Sequence, residues 1–270
     1  MSNKTLFLLL LILAGILYFR GDDLGENLGK VLVEQKQPLS PKIQEATNVV
    51  DITDSIKIFK KDNTKLKYRV FIPDKTSKTR FPVLVCIGGQ NSEGNEYHTN
   101  PYRAFAKQNG FAIITVAFKN FDNEEFKKKR SYQYPKAWSA GALTTILGIT
   151  AKRYPINPYK LYLFGFSAGA QFVHRFTMLH SFSVTACAAH GAGGYDLPKH
   201  YIKTPILVTV GSEDKSRIRR FYQFVEKAVQ EKIKIYPKVI SGKGHLLSEE
   251  QRQMSFDFFL SIKNGTQVFY

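Results

Sequence analysis

The feature that most constrains the fold is an alternation of short apolar runs with longer helix-like segments between residues 81 and 262. Apolar runs such as FPVLVCI, FAIITVAF and KLYLFGF are continuous, which is typical of strands buried on both faces of a sheet. Segments with helical spacing follow them, and the first of these ends at Gly110, a common helix stop. Buried strands that alternate with helices predict an α/β fold, with a mainly parallel sheet covered by helices on both faces.

Counting the runs predicts a sheet of about eight strands. Before the first buried strand, SIKIFKK and LKYRVFI have the alternating pattern of half-exposed strands and are joined by the turn residues DNT. The runs VTACAAH, PILVTVG and IKIYPKVI supply three further strands after KLYLFGF. The predicted helices cover residues 95–110, 136–154, 168–180, 218–231 and 248–262.

The loops are too short for a large lid domain. About fifteen residues separate VTACAAH from PILVTVG, so a site beside them is expected to be open and rimmed by short loops. The longest loop, residues 118–134, includes the aromatic side chains of Phe121, Phe126, Tyr132 and Tyr134. These side chains either line a substrate pocket or anchor the loop to the sheet.

The N-terminus differs from the rest of the chain. Lys4 precedes an apolar run of 14 residues from Leu6 to Phe19, which is shorter than the roughly 18 to 20 residues of a comfortable membrane span. A basic start and a short apolar core over residues 1–20 predict a signal peptide or a retained membrane anchor. The protein is therefore expected to be exported (periplasmic or secreted) or anchored to a membrane through residues 6–19. Residues 21–53 are interpreted as a polar linker, and residues 54–270 as the α/β domain.

The composition favours contact with acidic partners. The net charge is +17, from 39 Lys and Arg against 22 Asp and Glu, and such a balance attracts anionic surfaces. The dense groups FKKKR (126–130) and RIRR (217–220) are short, however, and runs of this kind are usually solvated faces. The sequence contains no recognisable nucleic-acid module, so no specific nucleic acid is expected as a partner. Contact with an anionic surface is left open.

The two cysteines suggest neither a disulfide framework nor a metal site. Cys86 and Cys187 each lie within an apolar strand-like run, where a buried, unpaired thiol is the default. No Cys/His spacing resembles a metal site. The sequence therefore predicts no metal and no cofactor.

A Gly-Phe-Ser-Ala-Gly motif lies between the strand KLYLFGF and the helix that follows it. Gly165 and Gly169 have no Cβ atom and allow the strand and the helix to approach each other closely around Ser167. The pattern is that of a nucleophile elbow, which exposes a serine hydroxyl beside the positive end of a helix. The alternative is a glycine-rich turn with a capping serine. The strand–turn–helix context favours Ser167 as a nucleophile.

A serine hydroxyl needs a base and an orienting acid, and loops after later strands supply both. PILVTVG ends at Gly211 and is followed by Glu213 and Asp214, of which Asp214 has the more suitable offset from the glycine. IKIYPKVI is followed by a loop of small residues that carries His245. Ser, Asp, His is one of the chain orders in which such triads occur. The sequence predicts Ser167, Asp214 and His245 as catalytic residues.

Five other histidines compete for the role of the base. His190 is the main rival because it also follows a strand, although no suitable acid precedes it in the expected order. His174 and His180 lie in the helix after Ser167 and are expected to pack or to face solvent. His98 and His200 lie in polar stretches that no strand precedes.

An oxyanion hole requires backbone N–H groups aimed at the developing negative charge. Ala168, the residue after the nucleophile, is expected to supply one donor. The loop GGQNSEG after FPVLVCI should supply the other, from Gly89 or Gln90. Such loops often begin with His-Gly, and Ile87 takes the place of that histidine here.

The elements IGGQNS, GFSAGAQF, GSEDKS and GKGH together resemble those of the α/β-hydrolase superfamily over residues 54–262. GFSAGAQFVHRF and AHGAGGYDLP are similar to segments of esterases related to polyhydroxybutyrate depolymerases and feruloyl esterases. The resemblance implies a serine esterase that acts on a small-molecule or polymeric ester. The alternatives are a serine peptidase of the same fold and a non-catalytic relative that binds an anionic partner. The sequence does not indicate the oligomeric state.

Overall fold

A computed structural model describes residues 48–58, 64–90, 92–119, 132–197 and 202–267. The predicted signal peptide or anchor (1–20) and the greater part of the predicted linker lie outside these ranges. The contacts between Cα atoms group Ala46–Tyr270 into one compact unit. Within the described ranges, no helix has the length and apolar character needed to cross a lipid bilayer.

The described residues form eight strands and five α-helices. The strands are β1 Val50–Lys57, β2 Lys65–Ile72, β3 Phe81–Ile87, β4 Ala112–Val116, β5 Ile156–Phe166, β6 Val184–His190, β7 Ile206–Gly211 and β8 Ile235–Ile240. The helices are α1 Asn100–Asn109, α2 Ser139–Arg153, α3 Ala168–Leu179, α4 Lys215–Gln230 and α5 Glu249–Asn264. The strand order is β1-β2-β4-β3-β5-β6-β7-β8. Strand β2 is antiparallel to both of its neighbours, β1 and β4. The six strands β3 to β8 are parallel to one another. The predicted mainly parallel sheet of about eight strands is confirmed.

Helices cover both faces of this sheet. In β3, Val83, Val85 and Ile87 belong to a core that also contains apolar side chains of α2, α3 and α4. The intervening Leu84 and Cys86 belong to a second core with side chains of α1 and α5. Because successive side chains of a strand point to opposite faces, a strand packed on both sides must be apolar throughout. This packing explains the uninterrupted apolar runs in the sequence.

Two predicted boundaries differ from the structure. Strand β1 begins at Val50, which is buried and pairs with Ile72, so residues 50–53 belong to the sheet and not to the predicted linker. The predicted helix 95–110 is divided into a 3-10 turn, Asn95–His98, and α1. The helix is interrupted because Pro101 has no N–H with which to continue the hydrogen bonds of the preceding turn.

The loop before α2 is held to the body of the protein by an aromatic side chain. Tyr132 is fully buried and stacks on Phe118 with ring centroids 5.3 Å apart, whereas Tyr134 is 41% exposed. Tyr132 therefore anchors the loop, as one of the two interpretations predicts. Phe121 and Phe126 lie outside the described residues.

The other predictions about loops and cysteines agree with the structure. Between β6 and β7, residues 191–197 and 202–205 are described, and none of them lies in a helix or strand. The absence of a large lid at this connection is consistent with its length. Cys86 and Cys187 are buried and unpaired, as their apolar surroundings predict.

Candidate active site

Ser167 lies at a sharp bend between β5 and α3. Its φ angle is +55°, a conformation that is strained for a residue with a side chain. A Cβ atom at Gly169 would lie 2.1 Å from the carbonyl oxygen of Ile87, and one at Gly165 would lie 2.6 Å from that of Gly169. The bend therefore depends on a glycine at both positions. The Ser167 N–H donates a hydrogen bond to the carbonyl oxygen of His190 (2.9 Å), which fixes the bend to β6.

Asp214 and His245 follow the ends of the neighbouring strands β7 and β8. The two loops touch, because the Glu213 N–H donates to the Lys243 carbonyl oxygen at 2.9 Å. A Cβ atom at Gly211 would lie 2.1 Å from that same oxygen, so a larger residue at position 211 would force the loops apart. This close approach brings the carboxylate of Asp214 and the imidazole of His245 together.

The structure brings Ser167, His245 and Asp214 into one hydrogen-bonded array, called here the Ser–His–Asp array. His245 Nε2 lies 2.8 Å from Ser167 Oγ, and His245 Nδ1 lies 2.9 Å from Asp214 Oδ2. Both distances are within the range of good hydrogen bonds. The side chain of Asp214 is 3% exposed and that of His245 is 29% exposed, so the acid is buried and the histidine borders solvent.

The pKa values of the acid and the histidine define where the protons lie. Burial raises the pKa of Asp214, but hydrogen bonds from Ser216 and Arg217 outweigh it, and the net shift is downward. Burial and the positive charge of Arg217 lower the pKa of His245 against the opposing effect of Asp214. At neutral pH the carboxylate is therefore ionised and accepts the Nδ1–H of a neutral imidazole. Nε2 is then an acceptor for the Ser167 hydroxyl proton.

Two neighbours restrict the imidazole of His245. The ring of Phe166 stacks on it, with centroids 4.9 Å apart and planes inclined by 21°. Gly191 has φ +59°, and a Cβ atom there would lie 3.3 Å from the imidazole. The glycine therefore allows the loop after β6 to close over the ring, and the histidine has little freedom to turn away from Ser167.

The rival histidines are engaged elsewhere. The imidazole of His190 is fully buried between the hydroxyls of Thr209 (2.8 Å) and Ser255 (2.7 Å), and burial lowers its pKa to about 3. His174 is also buried, and its Nε2 accepts the backbone N–H of Asp196. These two histidines are structural. His200 lies outside the described residues.

The loop after β3 lies next to the serine, as predicted for an oxyanion loop. A Cβ atom at Gly89 would lie 3.6 Å from the Cβ atom of Ser167. The Gly89 carbonyl oxygen accepts the N–H of Ser92 (3.1 Å), which closes a turn in this loop. Gln90 is the next, exposed residue, and Ala168 begins α3 directly after Ser167. Gly89 thus lies beside Ser167 in space and Ala168 follows it in the chain, whereas Gln90 is the neighbour of Gly89 in this loop.

Sequence reasoning missed one charged residue of the site. Arg217, in the RIRR group interpreted as a solvated face, places its guanidinium 3.1 Å from Asp214 Oδ1. The hydroxyl of Ser216 also donates to this oxygen at 2.9 Å. The signal was present, because an acid directly before a helix is within reach of a cation three positions later. Among the described residues, no group of three His, Cys, Asp or Glu could hold a metal ion.

Comparisons with known proteins identify the fold. No family model and no curated protein sequence matches the chain. An S-formylglutathione hydrolase from Agrobacterium tumefaciens is similar in structure, with a TM-score of 0.65 and 12% identity over 81% of this chain and 96% of that one. A ferulic acid esterase has a TM-score of 0.61 and 16% identity over 82% of this chain and 100% of that one.

A peptidase has a similar structure as well. The dipeptidyl peptidase 4 of Porphyromonas gingivalis has a TM-score of 0.58 and 14% identity over 80% of this chain, which spans 35% of that chain. At identities this low, the structural similarity shows a shared architecture. The strand order and these similarities together show that the chain has the α/β-hydrolase fold.

Proposed function

We propose that this protein is a serine hydrolase that cleaves carboxylic esters through an acyl-enzyme intermediate. The observation that carries the proposal is the Ser–His–Asp array, with its two hydrogen bonds of 2.8 and 2.9 Å. An ionised buried acid, a neutral imidazole and a serine in a strained bend are the arrangement that nucleophilic catalysis requires. The fold shared with esterases is consistent with this chemistry.

In the first half of the proposed reaction, Ser167 Oγ attacks the acyl carbonyl carbon while His245 Nε2 takes the hydroxyl proton. The Asp214 carboxylate holds Nδ1–H and stabilises the imidazolium that forms. The N–H of Ala168, with that of Gly89 or Gln90, would hold the negative oxygen of the tetrahedral intermediate. His245 then gives its proton to the leaving alcohol, and the acyl group stays on Ser167.

In the second half, water replaces the alcohol. His245 takes a proton from water as its oxygen attacks the acyl carbon, and it returns that proton to Ser167 Oγ when the acid leaves. The residues supply the base, the acid and the oxyanion donors for both halves, so the proposed cycle needs no cofactor. Export or membrane anchoring through residues 6–19 remains a prediction from the sequence.

Activity-based labelling tests the proposal directly. The full chain should react with a fluorophosphonate probe, and peptide mass spectrometry should locate the label on Ser167. Wild-type protein should then hydrolyse members of an ester panel with short p-nitrophenyl esters, a feruloyl ester and polyhydroxybutyrate. Labelling without ester turnover but with turnover of peptide substrates would favour a peptidase. The absence of any label would favour a non-catalytic protein that binds an anionic partner.

The pH dependence of the proposed activity should depend on Arg217. Because its positive charge disfavours the imidazolium, Arg217→Gln should raise the pKa of His245. The acidic limb of the kcat/KM profile, where protonation of His245 removes the base, should therefore move to higher pH. The measurement is kcat/KM for a p-nitrophenyl ester from pH 4.5 to 8.

Arg219→Gln is the matched control for this prediction. Arg219 lies in the same helix, is exposed, and its replacement removes the same charge. The acidic limb of the kcat/KM profile of Arg219→Gln should coincide with that of the wild type. Movement of the Arg217→Gln limb to lower pH, or equal movement in both variants, would contradict the electrostatic argument.

A further inference from the structure

A cavity lies away from the Ser–His–Asp array, at the edge of the sheet that β1 and β2 form. Its volume is about 380 Å³. Side chains of β2 form one wall, and Ser92, Glu93 and Asn95 from the segment after β3 form another. No residue of the Ser–His–Asp array lines it.

The alternation of β2 builds a basic wall for this cavity. Lys65 and Lys67 are exposed and Arg69 is half-buried, whereas the intervening Leu66 and Tyr68 are buried. Because strand side chains alternate, the three cations share one face at spacings of about 6.5 to 7 Å. The strand therefore presents three cations from five consecutive residues on one face.

The segment that follows β4 adds a fourth cation. Tyr68 pairs with Val116 in the antiparallel ladder of β2 and β4, and the Ala117 N–H donates to the Lys67 carbonyl oxygen at 2.9 Å. Lys119 follows Ala117 by two residues and is one of the lining residues.

Among the described residues, the acids near the cavity are fewer than the cations. Glu93 is the single acid among the ten described residues that line it. Asp51 lies 3.2 Å from Arg69, but it is shared with Arg103, whose guanidinium lies 2.6 Å from its other oxygen. The adjacent His98 is buried, and burial together with Arg69 lowers its pKa to about 4, so it is neutral at pH 7. With His98 neutral, the described wall of the cavity carries a net positive charge at neutral pH.

Ammonium groups held this close together repel one another, and an anion of matching charge relieves that repulsion. Lysine acts as a compact point charge and is a common ligand of phosphate. A volume of about 380 Å³ is within the range of about 300 to 1,000 Å³ of small-molecule sites, which leaves room for more than a single ion. We propose that this cavity binds a compact polyanion with at least two phosphate groups.

Two kinds of ligand carry such phosphate groups: a soluble phosphate ester, and the lipid headgroups of an anionic membrane surface. The inference is independent of the proposed hydrolase activity, since it uses neither Ser167, Asp214 nor His245. It assigns part of the net charge of +17 to a defined place in the fold. Binding, and not turnover, is the property that tests it.

The decisive comparison is between two charge-reversed double variants of the full chain. Lys65→Glu with Lys67→Glu reverses two charges in the cavity. Lys234→Glu with Lys238→Glu makes the same change in charge at exposed positions at or near β8, the opposite edge of the sheet. Calorimetric titration with pyrophosphate at low salt should give binding to the wild type and to the β8 variant. The cavity variant should bind at least tenfold more weakly.

Sedimentation with phosphatidylglycerol vesicles distinguishes the two kinds of ligand. Loss of vesicle binding in the cavity variant alone, without pyrophosphate binding by the wild type, would assign the site to a lipid surface. Equal losses in both double variants, or no binding of either probe by the wild type, would overturn the proposal. The neutral pair Lys65→Gln with Lys67→Gln, expected to bind with intermediate affinity, replaces the glutamate pair if that pair does not fold.

Discussion

Replacement of Ser167 by alanine should reduce ester hydrolysis about 10⁴-fold or more in kcat, as expected when the nucleophile of a Ser–His–Asp triad is removed. The change deletes the single oxygen that His245 Nε2 contacts at 2.8 Å, and no acyl-enzyme can then form. Asp214 and His245 remain hydrogen-bonded to each other, so the surroundings of the site are preserved. The measurement is kcat and KM for the best ester of the panel, with fluorophosphonate labelling as a second readout.

Ser261→Ala is a suitable control, because Ser261 is partly exposed in α5 and distant in sequence from the array. This variant should keep wild-type activity and labelling. Both variants should unfold within about 0.5 kcal/mol of the wild type, since neither removes a core side chain. Retention of more than about one hundredth of the activity by Ser167→Ala would contradict the assigned nucleophile, given the loss expected for it.

Gly169→Ala should destabilise the fold by about 3 kcal/mol or more, the upper range for an overpacked site. The added Cβ atom would lie 2.1 Å from the carbonyl oxygen of Ile87 and 2.5 Å from that of Gly88. These are backbone atoms at the end of β3, in the centre of the sheet, and they cannot move aside as a flexible side chain does. Helix α3 must therefore shift, and Ser167 with it. The free energy of unfolding from equilibrium denaturation in urea measures the effect.

Gly148→Ala makes the same chemical change and is expected to have the opposite effect on the free energy of unfolding. Gly148 lies in α2, is exposed, and a Cβ atom there would have nothing within 4 Å. Alanine is favoured over glycine in a helix interior by about 0.8 to 1 kcal/mol, so this variant should be more stable than the wild type. An unfolding free energy of Gly169→Ala equal to that of the wild type would contradict the steric account of the bend.

The sequence predicted most of the architecture because its signals are local. Continuous apolar runs follow from strands that are covered on both faces, and each strand of the sheet corresponds to a run recognised in the sequence. The boundaries were less accurate. Residues 50–53 were assigned to the linker because they precede the first strand pattern recognised in the sequence, but Val50 joins the sheet through its pairing with Ile72. The predicted helix 95–110 also ran through Pro101, although a proline inside a helical pattern signals the interruption that the structure has before α1.

The arrangement of the candidate site was partly predictable for a related reason. Ser167, Asp214 and His245 each follow the carboxyl end of a parallel strand, and those ends meet at one edge of the sheet. Chain order and strand ends therefore suffice to nominate the three residues. They also favour His245 over His190, because no suitable acid precedes His190 in the expected order. The structure adds that His190 is buried between the hydroxyls of Thr209 and Ser255, away from Ser167.

The sequence by itself determined the α/β architecture, the glycine-flanked bend at Ser167 and the residue types that follow each strand, because each of these depends on neighbours within a few positions. Tertiary structure alone decided that His190 is packed between Thr209 and Ser255, and that Ser92, Asn95 and Lys119 lie around the same cavity as the cations of β2. Such contacts join residues distant in the chain. Their distances depend on how strands pair and how loops cross, which no local pattern records.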